Sequence, residues 1–401
     1  MEIHISSFSN ISEYEIMCAM LAEAGFSIAK RPEEADIVLI NIGNSDCIDA
    51  IKASISNFPG KKHVIAGCMT SKKIREIRKI TEEASIIDTD NLAEIVQVVE
   101  ETMHGNTLEC LTFNSRKRIL LPKVRKEGIG RLPVMSGCSE PCRECTFRLE
   151  KGLLSSYSKE DIIREAKSCL KDRCNQIYLT GQDISAFGRE EIWRSPLPEL
   201  VNDILGLGEG FRLLLGRVTA QNIRSIEDEI IALYSNPRVY KCVNMPMYSG
   251  SSNVLSMMRR PDYSETMVKF LRKLRQTIPQ VYFISEAIVG FPGETEDDFH
   301  ATMDLVKNVM PDSLVIHEFS NECGNRAKIL DSLQRNISVI NLEKYVFSTM
   351  DVFIESGSGE SFVARDNSYR KVLVSGKCKL GEKASVNITS AFPGFLKAEL
   401  A

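Results

Sequence analysis

From Leu132 onward the chain repeats one unit six times, a short apolar run followed by a helical segment. The runs are "LPVMSGC", "NQIYLTGQD", "FRLLLGRV", "YKCVNMPM", "YFISEAIVG" and "DSLVIHEFS". Helix candidates between them include "SKEDIIREAKSCL", "SETMVKFLRKLRQ" and "TEDDFHATMDLVKNV". Strands joined by helical crossovers pair in parallel, and the crossovers share one hand, so six units in a row predict a parallel sheet curled into a partial barrel. The chemistry of barrels sits at the carboxyl ends of their strands.

The first of these runs ends in "GCSEPCRECTF", which sets Cys138, Cys142 and Cys145 at the spacing C-x3-C-x2-C. A closed zinc site takes four ligands, commonly as two close pairs, and no fourth cysteine or histidine lies nearby. Three thiolates instead suit three irons of a 4Fe–4S cluster, leaving the fourth iron open. An open iron can chelate the amino and carboxylate groups of S-adenosylmethionine. One electron from the cluster then releases a 5′-deoxyadenosyl radical, while the protein positions the cofactor and excludes water.

The first hundred residues show a similar strand–helix rhythm. "EIHISSF" reads as a strand and "SEYEIMCAMLAEAG" as a helix with Ser12 as N-cap and Gly25 as its stop. "DIVLINIG" and "HVIAGCM" are continuous apolar runs, as expected of strands buried on both faces of an open α/β sheet. Residues 114–131 hold seven Lys or Arg against one acid, which reads as a solvated connector or a phosphate-contacting strip. The last fifty residues break into short alternating segments with Gly and Asn-Ser turns, the pattern of a small β-barrel. The reading divides the chain into an N-terminal α/β domain (1–110), a basic linker (111–131), a partial barrel (132–345) and a C-terminal β domain (346–401).

Composition narrows the function classes. No run of about 18 apolar residues signals a membrane span, and "MEIHISSFSN" lacks the basic and apolar regions of a secretory signal. A cytoplasmic protein is expected, and twelve cysteines in a reducing compartment favour metal or redox chemistry for some of them. The net charge of −4 argues against gross nucleic-acid affinity but leaves room for a local basic patch. A serine-hydrolase reading fails for want of a G-x-S-x-G elbow. "GLGEG" at 206–210 precedes a strand rather than a helix, so it is not a phosphate loop.

The chain resembles the radical S-adenosylmethionine methylthiotransferases nearly end to end. The matching pieces are "GCSEPCRECTFRLEKGLLSSYS", "IYLTGQDISAFG", "LPELVNDIL", "PMYSGSSNVLSMMRR", "AIVGFPGETEDDF" and "RDNSYRKVLV". "KGLLSSYS" is most similar to the archaeal and eukaryotic branch, whose members place a methylthio group on threonylcarbamoyladenosine beside the tRNA anticodon. The resemblance implies an N-terminal flavodoxin-like α/β domain, a radical-SAM partial barrel and a small TRAM-like β-barrel. It implies tRNA as a partner and an electron donor such as ferredoxin or flavodoxin. Cys138, Cys142 and Cys145 match the family's cluster ligands. Thr180, Gly181, Gln182 and Asp183 match the segment implied to hold the cofactor's amino group, and Arg217 resembles an arginine near the cofactor. Gly290 and Glu294 lie in the turn implied to approach the adenine, although a glycine there also fits a plain tight turn. Arg365, Tyr369, Arg370 and Lys371 are the RNA-contact candidates, or else a surface basic cluster.

The sequence also departs from that family. The resemblance implies a second cluster on three N-terminal cysteines, whose slots here hold Ser7, Gly43 and Cys68. Cys68 is thus a possible remnant ligand, with Cys18 and Cys47 as the alternatives for a rearranged site. Glu144 replaces an aromatic residue, Asn244 and Tyr248 replace His and Gln, and Glu322, Cys323, Gly324 and Asn325 replace Arg-Pro-Gly-Thr. Cys323 is a candidate catalytic thiol at the barrel mouth, or an incidental one. Three readings follow: a tRNA methylthiotransferase; a one-cluster radical enzyme acting on RNA or protein without sulfur insertion, by hydrogen abstraction or methylation; and a non-catalytic RNA-binding relative.

Overall fold

Continuous apolar runs near the N-terminus pair into a parallel sheet. The structure, a computed structural model, describes residues 1–401 apart from 9–10, 43–46, 112–117, 126–127, 144, 146–150 and 320–323. The chain folds as two units, Met1–Lys126 with Cys145–Leu153, and Glu127–Glu144 with Leu154–Ala401.

In the first unit, β1 (Glu2–Ser7), β2 (Ser27–Ile28), β3 (Ile37–Ile42), β4 (Lys62–Gly67), β5 (Ser85–Asp88) and β6 (Glu109–Cys110) form one sheet in the order β2-β1-β3-β4-β5-β6. Every pairing is parallel. Strand β3 is buried at all six residues because helices cover both faces of the sheet. On one face α1 (Ile11–Glu23) and α4 (Ile95–Met103) contribute Met17, Leu21, Val98 and Val99 to the core. On the other, α2 (Ile48–Asn57) and α3 (Ser71–Ile80) contribute Ile51 and Ile77. Helix α1 already includes Ile11, so Ser12 lies inside it and is not its N-cap. Gly25 does end the helix. It takes φ +88°, and the Phe26 N–H reaches back to the Leu21 carbonyl at 3.0 Å, a Schellman-type closure.

The second unit opens with β7 (Ile129–Pro133), so the last three residues of the expected basic linker are strand. Pro133 cannot donate a ladder bond. Met135–Ser136 (β8) leave the run and pair antiparallel with Ser155–Ser156 (β9). The barrel strands are β7, β10 (Gln176–Thr180), β11 (Arg212–Leu214), β12 (Cys242–Asn244), β13 (Tyr282–Val289) and β14 (Ser313–Glu318). They form two three-stranded parallel sheets, β7-β10-β11 and β12-β13-β14. Parallel bridges at Leu213–Val239 and Arg217–Asn244 join the two sheets.

The intervening helices are α5 (Lys159–Lys171), α6 (Leu197–Leu205), α7 (Ala220–Ile223), α8 (Glu227–Ser235), α9 (Ser252–Met257), α10 (Ser264–Thr277) and α11 (Glu296–Val309). Helix α11 begins with a reciprocal capping box between Thr295 and Asp298, and the Ser251 hydroxyl, together with the Thr295 amide and hydroxyl, holds the Asp298 carboxyl down at about 2. Helix α12 (Arg326–Glu343) leads into β15 (Thr349–Ser358), β16 (Ser361–Asp366), β17 (Lys371–Ser375), β18 (Lys383–Phe392) and β19 (Phe395–Leu400), a closed barrel in the order β15-β16-β17-β19-β18. Val352, Phe362, Val372, Val386 and Leu396 fill it. Closure removes the free strand edges.

Candidate active site

The cysteine loop leaves β8 through Gly137, which takes the left-handed φ of +69°. Cys138 is buried, and the Glu140 backbone N–H donates to its sulfur at 3.4 Å. The Arg143 N–H donates to the Met258 carbonyl at 3.0 Å, pinning the loop to the end of α9. Cys142 and Cys145 are half-buried. Cys145 opens the segment that folds with the N-terminal unit, and Glu144 lies outside the described residues. Among the described residues no three His, Cys, Asp or Glu side chains are gathered as a metal-holding set.

An arginine, a glutamate and a histidine meet at the carboxyl ends of the barrel strands. Arg217 follows β11, Glu286 lies in β13 and His317 in β14. Arg217 donates to Glu286, and His317 Nε2 lies 3.4 Å from the other Glu286 oxygen. Burial pulls Arg217 down, but Tyr248 and Glu286 more than offset it, so the guanidinium is held above its ordinary value. Tyr248 has φ +59°, a conformation that is an outlier for an aromatic residue. The Arg260 guanidinium carbon lies 3.6 Å from its ring centroid. Burial raises the Tyr248 phenol, against the pull of Arg260 and Arg217. Burial also raises Glu140, with Asp183 adding to it and Arg260 and Arg189 opposing.

In the segment after β10, Asp183 is bonded within the protein. Asp183 is 4% exposed, and its carboxylate accepts from the Ser185 amide at 3.0 Å, the Thr219 hydroxyl at 2.7 Å and the Asn222 amide at 2.7 Å. These bonds hold Asp183 as a brace between two strand-end loops instead of a group presented to a ligand. Thr180 ends β10, and Gln182 is half-buried beyond it. A Cβ on Gly181 would come within 2.8 Å of Met135, so the backbone approaches β8 closely there. After β13, Gly290 takes φ +74° and donates its N–H to Glu294 at 2.8 Å. Arg326 donates to the same Glu294 oxygen at 2.7 Å, while the second oxygen, Oε1, is buried without a hydrogen-bond partner. Cys323 lies outside the described residues.

Two of the N-terminal slots, Ser7 and Cys68, lie in hydrogen-bonded surroundings. Ser7 Oγ accepts from Asn41 Nδ2 at 3.1 Å. Cys68 is 2% exposed, with Thr89 Oγ1 at 3.9 Å from its sulfur. Lys151 donates to that Thr89 oxygen and lies 3.8 Å from Glu13, which also meets Arg118 at 3.3 Å. Gly43 lies outside the described residues and has no side chain to offer. One thiol and one hydrogen-bonded serine do not fit a cluster that needs three thiolates.

The expected RNA contacts of the C-terminal barrel need correcting. Arg370 is 3% exposed; it donates to Asp366 at 2.6 Å and to the Gln280 carbonyl. The Tyr369 hydroxyl bonds that of Tyr178 at 3.1 Å, and its ring packs edge-on to Tyr178 and Tyr240. Arg365 pairs with Glu355 at 3.0 Å and lies over the Tyr369 ring. Arg370 and Tyr369 dock the small barrel on the large one, and Arg365 braces Tyr369 from within the small barrel. Sequence alone shows their charge and aromaticity but not the surface that covers them. Lys371 is half-buried, its ammonium 6.0 Å from the Phe395 ring.

Glu286, His317, Tyr248 as the partner of Arg260, and Glu140 were not among the sequence-based site candidates. A signal was present for the first two, since a charged or polar residue within the apolar runs "FISEAIVG" and "SLVIHEFS" interrupts a barrel strand.

Comparison with known proteins defines the class. Residues 132–306 match the Radical SAM superfamily and residues 343–401 match the TRAM domain. In fold the chain is similar to the radical S-adenosylmethionine methyltransferase TsrM from Kitasatospora setae, with a TM-score of 0.57 and 11% identity over 79% of this chain and 74% of that one. A threonylcarbamoyladenosine tRNA methylthiotransferase from Drosophila melanogaster is 30% identical over 95% of this chain and 74% of its own length. A probable one from Archaeoglobus fulgidus is 29% identical over 92% of this chain and 91% of its own, and the Homo sapiens one is 28% identical over 97% and 72%. The chain belongs to the threonylcarbamoyladenosine tRNA methylthiotransferase family. No helix among the described residues is long and apolar enough to cross a membrane.

Proposed function

We propose that this protein is a radical S-adenosylmethionine methylthiotransferase acting on the threonylcarbamoyladenosine beside the tRNA anticodon. The observation that carries the reading is the match to relatives of that name over more than nine-tenths of the chain, through both barrels. Cys138, Cys142 and Cys145 are the residues that would hold a 4Fe–4S cluster. The Glu140 amide on the Cys138 sulfur suits a thiolate ligand, since such donors stabilise the charged sulfur. When bound, the cluster and S-adenosylmethionine supply a 5′-deoxyadenosyl radical.

The protein's own groups orient and exclude. Arg217 and Glu286 place paired charges at the strand ends, and Arg260 braces Tyr248 beneath the cysteine loop. Gly290 and Glu294 keep the turn after β13 closed, and Asp183 holds two neighbouring loops together. The deciding experiment incubates reconstituted protein anaerobically with threonylcarbamoyl-modified tRNA, S-adenosylmethionine, a reductant and sulfide. Mass spectra of the digested nucleosides should gain the methylthio derivative. Cofactor cleavage with no methylthio nucleoside defeats the reading.

A second reading has a specific observation in its favour. On that reading, with Ser7 bonded to Asn41 and Cys68 the one thiol in the three N-terminal slots, the chain would carry a single cluster and perform a sulfur-free radical reaction. In the same experiment it predicts cofactor cleavage with hydrogen abstraction or methylation of the substrate.

A further inference from the structure

The row of charges at the barrel mouth runs outward from a paired arginine to an open histidine. Glu286 meets Arg217 on one side, and its side chain is 15% exposed; His317, on its other side, is 52% exposed. Leu214, Cys242, Tyr282 and Ile284 pack together inside the barrel, so alternate residues of β12 and β13 define an inner face. The register pairs Glu286 with Val315 and Ile288 with His317, which puts Val315 and His317 on that same face of β14. Phe319 follows two residues on. Its N–H donates to the Val289 carbonyl at 2.9 Å, and its ring lies 4.8 Å from that of Phe291. Strand β14 is the edge strand of its sheet, and both Val315 and Phe319 are exposed. The inner face of this edge thus carries one histidine between two uncovered apolar side chains. Nδ1 of His317 has no hydrogen-bond partner among the described residues.

We infer that His317, set by Glu286 and flanked by Val315 and Phe319, is a specificity residue that meets the free carboxylate of the threonylcarbamoyl group. The inference rests on the reading of the substrate as threonylcarbamoyladenosine in tRNA. In that nucleoside the threonine nitrogen is spent in the carbamoyl linkage, so the threonine carboxylate stays free and negative. Glu286 accepts from Arg217 with one oxygen and faces Nε2 of His317 with the other. A protonated imidazole donates from both nitrogens, so Nδ1 is left to donate to a second carboxylate in a charge-assisted bond. Arg217 offsets the charge of Glu286, so an incoming carboxylate is not repelled by an unbalanced acid. Val315 and Phe319 give the threonine methyl and the base an apolar margin, which thins the water around the contact and strengthens it.

The test uses two anticodon stem–loop RNAs that differ in one group, threonylcarbamoyladenosine and its analogue with the carboxylate as a primary amide. Binding to reconstituted protein is read by fluorescence anisotropy without reductant, so no turnover intervenes. Every other RNA contact cancels in the ratio of the two affinities. Wild type should prefer the carboxylate about tenfold, as one hydrogen bond to a charged group predicts, and H317A should bring the ratio to about one. H317Q keeps a donor without the charge and should give about threefold, since a neutral bond is about half as strong; it decides if H317A does not fold. A merely structural role for His317 would weaken both RNAs alike and leave the ratio at its wild-type value, which overturns the inference. A wild-type ratio of about one overturns it with no variant at all. Failure here is separable from failure of the proposed function. A methylthio nucleoside formed while the two RNAs bind alike sinks this inference alone. A His317-dependent preference for the carboxylate with no methylthio product defeats the proposed function and leaves the inference standing.

Discussion

The two parallel sheets end in different ways. At the carboxyl edge of the N-terminal sheet, Glu13, Lys151, Arg118, Thr89 and Cys68 close on one another, and Ser7 closes on Asn41. At the carboxyl edge of the barrel, Arg217, Glu286 and His317 stand in an open half-buried row, with Cys142 half-buried in the loop above β8. Both edges are where ligands of α/β folds gather. The N-terminal edge spends its charges on a buried network around one thiol, while the barrel edge pairs Arg217 with Glu286 beside a half-exposed His317, so topology marks where a site can be and side chains decide what it can hold.

The largest expected effect would break the comparison on the barrel side. Cys138→Ala should lose the cluster's visible absorbance and reduce cofactor cleavage to background while circular dichroism stays native. Retained cleavage would remove the cysteine loop from the chemistry. Next comes a change that looks like lost RNA binding from the sequence but acts on folding from the structure. Arg370→Ala leaves Asp366 buried without its cationic partner, with only the backbone N–H groups of residues 368 and 370 still donating to it, at a cost of about 3 kcal/mol. A denaturation midpoint equal to wild type, with weakened RNA binding, would return Arg370 to the RNA surface.

A quieter outcome would sharpen the N-terminal side. Iron in reconstituted protein should be about four per chain and unchanged in Cys68→Ser. About eight, falling in that variant, would show that the N-terminal edge carries a cluster after all. The smallest effect is a slope. Burial raises the Glu13 carboxyl, although Lys151 and Arg118 oppose it. The folded state therefore holds that proton more tightly than the unfolded chain. Its contribution is full below the ordinary carboxylate range and is lost as pH rises through the raised value. Amide protection in the N-terminal unit, measured relative to the intrinsic exchange rate at each pH, should fall across that window in wild type, and Glu13→Gln should flatten the change. An unchanged slope in the variant would place the titration elsewhere.

Much of this was legible in the sequence because the signals are local. Apolar runs of strand length alternating with amphipathic helices determine a parallel α/β architecture, and short Gly-punctuated strands determine a small closed barrel. C-x3-C-x2-C at a strand end marks the loop proposed to hold the cluster, because ligand spacing there is a property of a few consecutive residues. Other features needed partners from far along the chain. "RDNSYRK" reads the same whether its arginines meet RNA or Asp366, Glu355 and a carbonyl of Gln280. Asp183 looks like a ligand until Thr219 and Asn222 arrive from another loop to occupy it. Glu286 becomes a site residue only when Arg217 and His317 come to its side. Burial and charge pairing depend on which distant surfaces meet. The tertiary structure alone decided those partners, because the free energy of a charge is set by the groups that replace its water.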